Sequence, residues 1–117
     1  MKLLFIINDA PYGTEKAYNA LRMAMAIQKQ PGDTRVLIFL MADAVTCALS
    51  GQLTPDGYYN LERMFKAIIS KGGLVKACGS CTEARGVKQL SLIEGVEISH
   101  MEQLAQWTVE ADKVLTF

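Results

Sequence analysis

The chain has 117 residues, of which 50% are hydrophobic and 21% charged, and its 12 basic and 12 acidic side chains cancel to a formal net charge of zero. These proportions are typical of a soluble globular protein, and the length predicts one domain over residues 1–117. The charge balance does not support direct nucleic-acid binding, and no apolar run approaches the roughly 20 residues that span a bilayer. A neutral chain has little self-repulsion, which favours a homo-oligomer.

The first apolar run, Leu3–Ile7, predicts a strand that is buried on both faces. The run stops at Asn8 without the small-residue cleavage site of an export signal, so we expect a cytoplasmic protein. In the cytoplasm, the three cysteines are expected to be reduced, catalytic or metal-binding rather than a disulfide framework.

Helical and strand periodicities then alternate along the first half of the chain. Thr14 is predicted to cap a helix whose apolar residues recur from Ala17 to Ile27, and Val36–Met41 predicts a second buried strand. Asp43 is predicted to cap a short helix, and the turn-rich segment 50–60 predicts a loop that would suit a lid or an interface arm.

The second half continues the alternation. Apolar spacing predicts a helix from Leu61 to Ile69, and Leu74–Ala77 predicts a third strand. Val96–Ile98 predicts a fourth strand, Ser99 is predicted to cap the next helix, and Lys113–Phe117 predicts a fifth strand. Strands that alternate with helices imply a three-layer α/β/α sandwich with a mainly parallel five-stranded sheet.

In such a sheet the carboxyl ends of the strands meet along one edge, where ligands and reactive groups gather. The loops 8–13, 42–46 and 78–82 are predicted to share this edge. Neither a Gly-rich dinucleotide motif nor a Walker lysine is present, so no nucleotide cofactor is expected at the first loop. The candidate site-lining residues on the three loops are Asn8, Asp9, Tyr12, Gly13, Asp43, Gly79, Ser80 and Thr82.

Cys78 and Cys81 form a Cys-x-x-Cys pair between the third strand and a predicted short helix. The N–H groups and dipole of a helix N-terminus favour the thiolate, which is the reactive form of cysteine. Any chemistry of this protein is therefore expected at the pair, with Arg85 adding positive charge. The competing interpretation is that Cys78 is only a small buried residue at a strand end.

The pair is compatible with sulfur carriage, thiol–disulfide exchange or metal binding. Exchange of the thioredoxin type lacks its proline partner, because none of the three prolines precedes a late strand. A Cys₃His metal site would need Cys47 and His100, which are distant in sequence, so no metal is predicted. Cys47 lies on an apolar helix face and is expected in the core, and His100 is expected to be solvated at a helix start.

Several segments of the chain carry a family resemblance: Ala10–Gly13, Leu21–Ala24, Phe39–Val45, Cys78–Gly86, Leu104–Trp107 and Ala111–Phe117. Together they closely resemble the DsrE/DsrF-like family and, within it, the YchN-like branch, over nearly the whole chain. The resemblance implies an α/β/α sandwich that assembles into a homotrimer or homohexamer. The better-understood members of the family are sulfur-relay proteins.

The resemblance also implies roles for individual residues. Sulfur-relay members accept a persulfide sulfur on a cysteine seven residues before an Arg-Gly pair and pass the sulfur between donor and acceptor proteins. Cys78 stands in that relation to Arg85 and Gly86, so it is the implied sulfur carrier of a sulfurtransferase. Cys81 is an additional thiol that suits resolution of a persulfide or disulfide exchange. The alternative is a non-catalytic oligomeric module that binds a small ligand or a protein at the same edge.

Overall fold

The computed structural model describes residues 1–117 and contains a single five-stranded sheet. Its strands are β1 (Lys2–Ile7), β2 (Arg35–Leu40), β3 (Leu74–Cys78), β4 (Val96–Ser99) and β5 (Lys113–Thr116). They lie in the order β4-β3-β2-β1-β5, and every neighbouring pair is parallel. Each connection must therefore cross a face of the sheet, which places the carboxyl ends of all five strands along one edge.

Helices cover both faces of the sheet. They are α1 (Lys16–Gln28), a 3₁₀ helix over Ala42–Ala48, α2 (Leu61–Ser70), α3 (Gly79–Ala84) and α4 (Met101–Glu110). The α1 and α2 helices pack against each other on one face, and α4 packs on the opposite face. The predicted element order and the α/β/α architecture are confirmed. No helix combines the length and the hydropathy that crossing a membrane requires.

The sheet is buried because both of its faces are covered. Five of the six β2 residues are buried, as expected for a strand that reads as a continuous apolar run. On the α4 side, the ring of Trp107 meets that of Phe39 edge-on, with ring centroids 6.1 Å apart, and Lys76 Nζ lies 5.2 Å from the Trp107 ring centroid. Trp107 therefore anchors α4 to the middle of the sheet.

Two predicted helix caps are displaced from the real helix starts. Thr14 lies before the α1 cap position, which Glu15 occupies, and the Thr14 hydroxyl donates a hydrogen bond to Asp9 Oδ2 at 2.8 Å. Ser99 is the last residue of β4, so His100 occupies the α4 cap position. The Thr14 hydroxyl oxygen also accepts the N–H of Lys16, the first residue of α1, at 3.3 Å, so Thr14 contacts the helix start from one position before the cap. The Ser99 prediction is wrong, because periodicity locates a helix without locating the residue at which its backbone hydrogen bonds begin.

The prediction that Asp43 caps the helix after β2 is also wrong. The 3₁₀ helix begins at Ala42 and Met41 occupies its cap position, so Asp43 lies inside the first turn. Its carboxylate instead accepts a hydrogen bond from Arg85 Nε at 2.9 Å. The sequence pattern missed this contact because the two side chains come from different elements.

Gly73 makes the connection that leads from α2 into β3. Its N–H donates to the Ile68 carbonyl at 2.9 Å, which holds the backbone close to the last turn of α2. A Cβ atom at this position would lie 2.5 Å from Ile68 Cγ2 and 2.8 Å from the Ile68 carbonyl oxygen. Only glycine therefore fits without moving α2 away from β3.

We expect Gly73→Ala to lower the free energy of unfolding by about 1–3 kcal/mol, because the added methyl group overlaps backbone as well as side chain. Urea denaturation measures the change. Gly13→Ala is the matched control, since a Cβ at Gly13 would meet no atom within 4 Å. Equal stability of the two variants would contradict the steric argument.

Candidate functional site

Cys78 lies where β3 ends and α3 begins. It is the last residue of the strand and occupies the cap position of the helix, with extended backbone angles. Its Sγ accepts the N–H of Cys81 at 3.4 Å and lies 3.3 Å from the Ser80 hydroxyl. The turn into α3 thus directs backbone and side-chain donors at one sulfur, as a capping side chain does at any helix start.

The Cys78 thiol faces a cavity of about 200 Å³, although the residue is only 7% exposed. Parallel pairing of β3 with β4 sets Cys78 beside Ser99, so the residues that follow β4 form the facing wall. Three of the residues that line the cavity, Ser80, His100 and Met101, are exposed, so the cavity is open to solvent on their side. The cavity is lined by Phe39, Met41, Cys78, Gly79, Ser80, Cys81, Ser99, His100 and Met101.

The surroundings of Cys78 favour its thiolate. Burial raises the pKa of Cys78, but hydrogen bonds from the Cys81 thiol, the Ser80 hydroxyl and their two backbone N–H groups outweigh it. The net pKa of Cys78 lies below that of an ordinary cysteine. A buried sulfur with several donors is stabilised as an anion because each donor replaces a lost water contact.

Cys81 has the opposite tendency. Burial and the hydrogen bond to Cys78 raise the pKa of Cys81, and the Ala42 N–H and the Arg85 charge only partly offset them. The Ala42 N–H reaches Cys81 Sγ at 3.3 Å because Ala42 adopts a left-handed conformation with φ of 51°. The pKa of Cys78 is therefore lowered while that of Cys81 is raised, so Cys78 loses its proton more readily than Cys81.

Arg85 lies beside Cys81 rather than beside the Cys78 sulfur. Its Nε contacts Asp43 Oδ1 at 2.9 Å, and its Nη1 donates to the Cys81 carbonyl at 3.2 Å. The guanidinium thus ties the 3₁₀ helix after β2 to α3. Arg85 positions the segment that carries both thiols, and its charge acts on Cys81.

The structure brings some of the predicted site residues together and separates others. Gly79 and Ser80 line the cavity with the two thiols, whereas Thr82 is buried and its hydroxyl donates to the Gly79 carbonyl at 2.6 Å. Its place is inside the first turn of α3, where it stabilises the helix. The remaining candidates, Asn8, Asp9, Tyr12, Gly13 and Asp43, are not among the residues that line the cavity.

The first loop has other contacts. Asn8 Nδ2 donates to the Phe117 carbonyl at 3.2 Å and so fastens the chain end that follows β5. Asp9 accepts from Thr14, and the Tyr12 hydroxyl is directed towards the segment 50–60. Asp9 and Asp43 consequently have different hydrogen-bond partners.

No motif in the sequence places His100 or Met101 beside the thiols. Both follow β4, and only the pairing of β4 with β3 sets them opposite Cys78. The predicted parallel sheet could have indicated this placement, since the residues that follow neighbouring parallel strands lie at the same edge of the sheet. His100 was expected to be solvated, and its side chain is exposed at the cavity mouth.

The Cys₃His alternative is wrong. Cys47 is completely buried, as predicted for a core residue, and its thiol donates to the Asp9 carbonyl at 3.6 Å. Burial raises the pKa of Cys47 to about 12. No group of three or more His, Cys, Asp or Glu side chains is placed to hold a metal ion.

Comparison with known proteins identifies relatives over the full length. The model of the DsrE/DsrF-like family matches residues 1–117. Protein YchN of Escherichia coli is 46% identical over 116 residues, which cover 99% of this chain and 98% of YchN. A protein of Methanocaldococcus jannaschii is 40% identical over the whole of both chains.

The crystal structure of E. coli YchN has the same fold. It superposes with a TM-score of 0.94 and covers 100% of this chain and 99% of its own at 45% identity. The protein MTH1491 of Methanobacterium thermoautotrophicum is only 15% identical, with a TM-score of 0.78, and shares the fold alone.

We expect iodoacetamide to modify Cys78 faster than Cys47 at neutral pH, because the pKa of Cys78 is lowered and that of Cys47 is raised to about 12. Peptide mass spectrometry of the native protein measures both rates. Ser80→Ala removes a donor to the thiolate, so the pKa of Cys78 should rise and its pH–rate profile should shift to higher pH. Ser70→Ala is the control, and equal rates for Cys78 and Cys47 would argue against activation.

Proposed function

We propose that this protein, which belongs to the DsrE/DsrF-like family, carries sulfur as a persulfide on Cys78. The family is associated with sulfur relay. The observation that carries the proposal is a thiol that accepts hydrogen bonds, has a lowered pKa and faces a cavity of about 200 Å³. A reactive sulfur with adjacent empty space is what a carrier of one additional sulfur atom requires.

The loading step is a sulfur transfer without net oxidation. The Cys78 thiolate attacks the outer sulfur of a donor persulfide, R–S–SH, and a new S–S bond forms as the old one breaks. The donor leaves as R–S⁻ with the electron pair of the broken bond, and Cys78 becomes Cys78–S–SH. An acceptor thiolate then removes the outer sulfur in the same way, which restores the Cys78 thiolate.

The cavity supports both steps. Its aromatic and thioether side chains, Phe39, Met41 and Met101, give the sulfane sulfur an apolar wall that limits hydrolysis and oxidation. The N–H of Cys81 faces the sulfur that must leave as a thiolate when the acceptor attacks. We further propose that the donor and acceptor are proteins of the reducing cytoplasm.

We propose that Cys81 resolves the persulfide when no acceptor arrives. The two cysteines are already in contact, since the Cys81 N–H donates to the Cys78 sulfur at 3.4 Å. After losing its proton, Cys81 attacks the inner sulfur of Cys78–S–SH, and HS⁻ leaves as a Cys78–Cys81 disulfide forms. The sulfane sulfur is reduced to sulfide while the two thiols are oxidised, and a cellular dithiol reductant resets the pair.

We also propose that the protein is a homo-oligomer, a trimer or a hexamer, that assembles through the α4 face. Apolar side chains remain exposed on both sides of α4, with Leu74 38% and Val114 40% exposed on the sheet. Val109 on α4 is 86% exposed, and Met101 is 58% exposed beside the thiol cavity. A neutral chain with an uncovered apolar face favours burial against a second copy.

Incubation with a persulfide donor should add the mass of one sulfur atom to the intact protein, with Cys78 as the modified residue. Cys78→Ser should abolish the adduct. Cys47→Ser should keep it, because serine preserves the size and the hydrogen bond to Asp9 in the core. An adduct that persists in Cys78→Ser, or none with any donor, would refute the carrier.

The same experiment tests Cys81 when it is followed over time. The loaded wild type should release sulfide and form a disulfide, whereas Cys81→Ser should retain the persulfide at least about tenfold longer, because the neighbouring attacking thiol is lost. Sulfide assays and intact mass measure the two products. Equal rates of sulfide release by the wild type and Cys81→Ser would contradict the resolving role of Cys81 without contradicting sulfur carriage by Cys78.

Light scattering should give a solution mass of three or six chains. Val109→Asp should shift the protein towards smaller species, because it sets a charge on the α4 face. Leu53→Asp is the control, since Leu53 is 96% exposed but lies in the segment 50–60. A monomeric wild type, or dissociation by Leu53→Asp alone, would contradict assembly through α4.

A further inference from the structure

A second concave surface lies on the side of the sheet opposite the thiol cavity. It is a cleft of about 470 Å³ between α1, α2 and the end of the segment 50–60. The volume is in the range of small-molecule sites, roughly 300–1,000 Å³. We call it the tyrosine cleft and define it by Tyr18, Arg22, Lys29, Tyr58, Tyr59 and Arg63, with Met25 and Met64 between the helices.

Stacked aromatic rings form one wall of the tyrosine cleft. The rings of Tyr18 and Tyr59 are 4.0 Å apart between centroids with an interplanar angle of 18°, and those of Tyr58 and Tyr59 are 4.5 Å apart at 24°. Tyr12 extends the stack, 5.5 Å from Tyr59. Tyr58 is 51% exposed, so it ends the stack with surface available to another planar group.

Hydrogen bonds of Tyr12 and Asn60 fix the backbone next to the stacked rings. Tyr12 adopts a left-handed backbone conformation with φ of 67°, which a bulky residue adopts only when its surroundings enforce it. Its hydroxyl donates to Gln52 Oε1 at 2.6 Å and accepts the Leu61 N–H at 3.0 Å. Asn60 caps α2 and donates to the Gln52 carbonyl at 3.1 Å, so the segment before α2 is fastened at several points.

The tyrosine cleft is also positively charged. Arg22, Lys29 and Arg63 line it, no acidic residue does, and none of the three cations forms an ion pair with a carboxylate within 4.0 Å. The Arg22 guanidinium lies 5.2 Å from the centroid of the Tyr18 ring. The cleft therefore places three cations that have no carboxylate within 4.0 Å beside an aromatic stack.

We propose that the tyrosine cleft binds a mononucleotide. A planar base would stack on Tyr58, and the phosphate would contact Arg22 and Arg63, which present donors suited to phosphate oxygens. The site differs from the first loop, where the sequence lacks nucleotide motifs, and it uses neither Cys78 nor Cys81.

The proposal predicts that AMP binds in isothermal titration calorimetry at least about tenfold tighter than adenosine or ribose 5-phosphate, because each of those keeps only half of the contacts. Arg63→Gln and Tyr58→Ala should each weaken AMP binding by about tenfold. Lys66→Gln is the matched control, since Lys66 lies on the same helix outside the cleft. Melting curves verify that each variant is folded.

No AMP binding, equal affinities for AMP and its two halves, or equal binding by the Arg63→Gln and Lys66→Gln variants would overturn the proposal. Binding of an adenine oligonucleotide without AMP would also overturn it, because the occupant would then be a polymer. Cys78→Ser should bind AMP as the wild type does. A failure of the sulfur-carrier proposal is thus distinguishable from a failure of this one.

Discussion

The parallel pairing of β3 between β2 and β4 is the constraint on which the rest of the site depends. It brings Cys78 to the carboxyl edge of the sheet, opposite Ser99, at the point where the chain turns into α3. Because all strands run in one direction, the segment that follows β2 and the residues that follow β4 meet at the same edge. The cavity beside Cys78 is a consequence of this convergence rather than of any single motif.

The pKa values of the two thiols shift in opposite directions because the hydrogen-bond donors form a chain that ends at Cys78. The Ala42 N–H donates to the Cys81 sulfur, and the Cys81 N–H donates to the Cys78 sulfur. A strained alanine backbone, of the kind that costs about 1–3 kcal/mol, is retained where this chain of donors begins. Arg85 supports the chain by joining Asp43 to the Cys81 carbonyl. The negative charge is therefore best accommodated on Cys78, which points into the cavity.

The sheet separates two surfaces of different chemistry. Successive residues of a strand face opposite sides, so the α4 side carries Cys78 and its cavity while the α1–α2 side carries the stacked tyrosines. Tyr12 belongs to the second surface, although its loop leaves the same edge as Cys78. The segment 50–60 forms one wall of the tyrosine cleft. Its position is fixed by hydrogen bonds from the Gln52 N–H to Glu62 and from the Asn60 side chain to the Gln52 carbonyl. The two surfaces therefore have no lining residue in common.

The sequence by itself determined the order of elements, the parallel sheet, the strand-end position of Cys78 and the core position of Cys47. These features follow from periodicity and turn residues, which act over a few neighbouring positions. Only the tertiary structure decided that His100 and Met101 face Cys78, that Arg85 contacts Asp43, and that the tyrosines of two distant segments stack. These contacts depend on strand order, register and helix packing, and no local pattern encodes them because the residues involved are neighbours only in space.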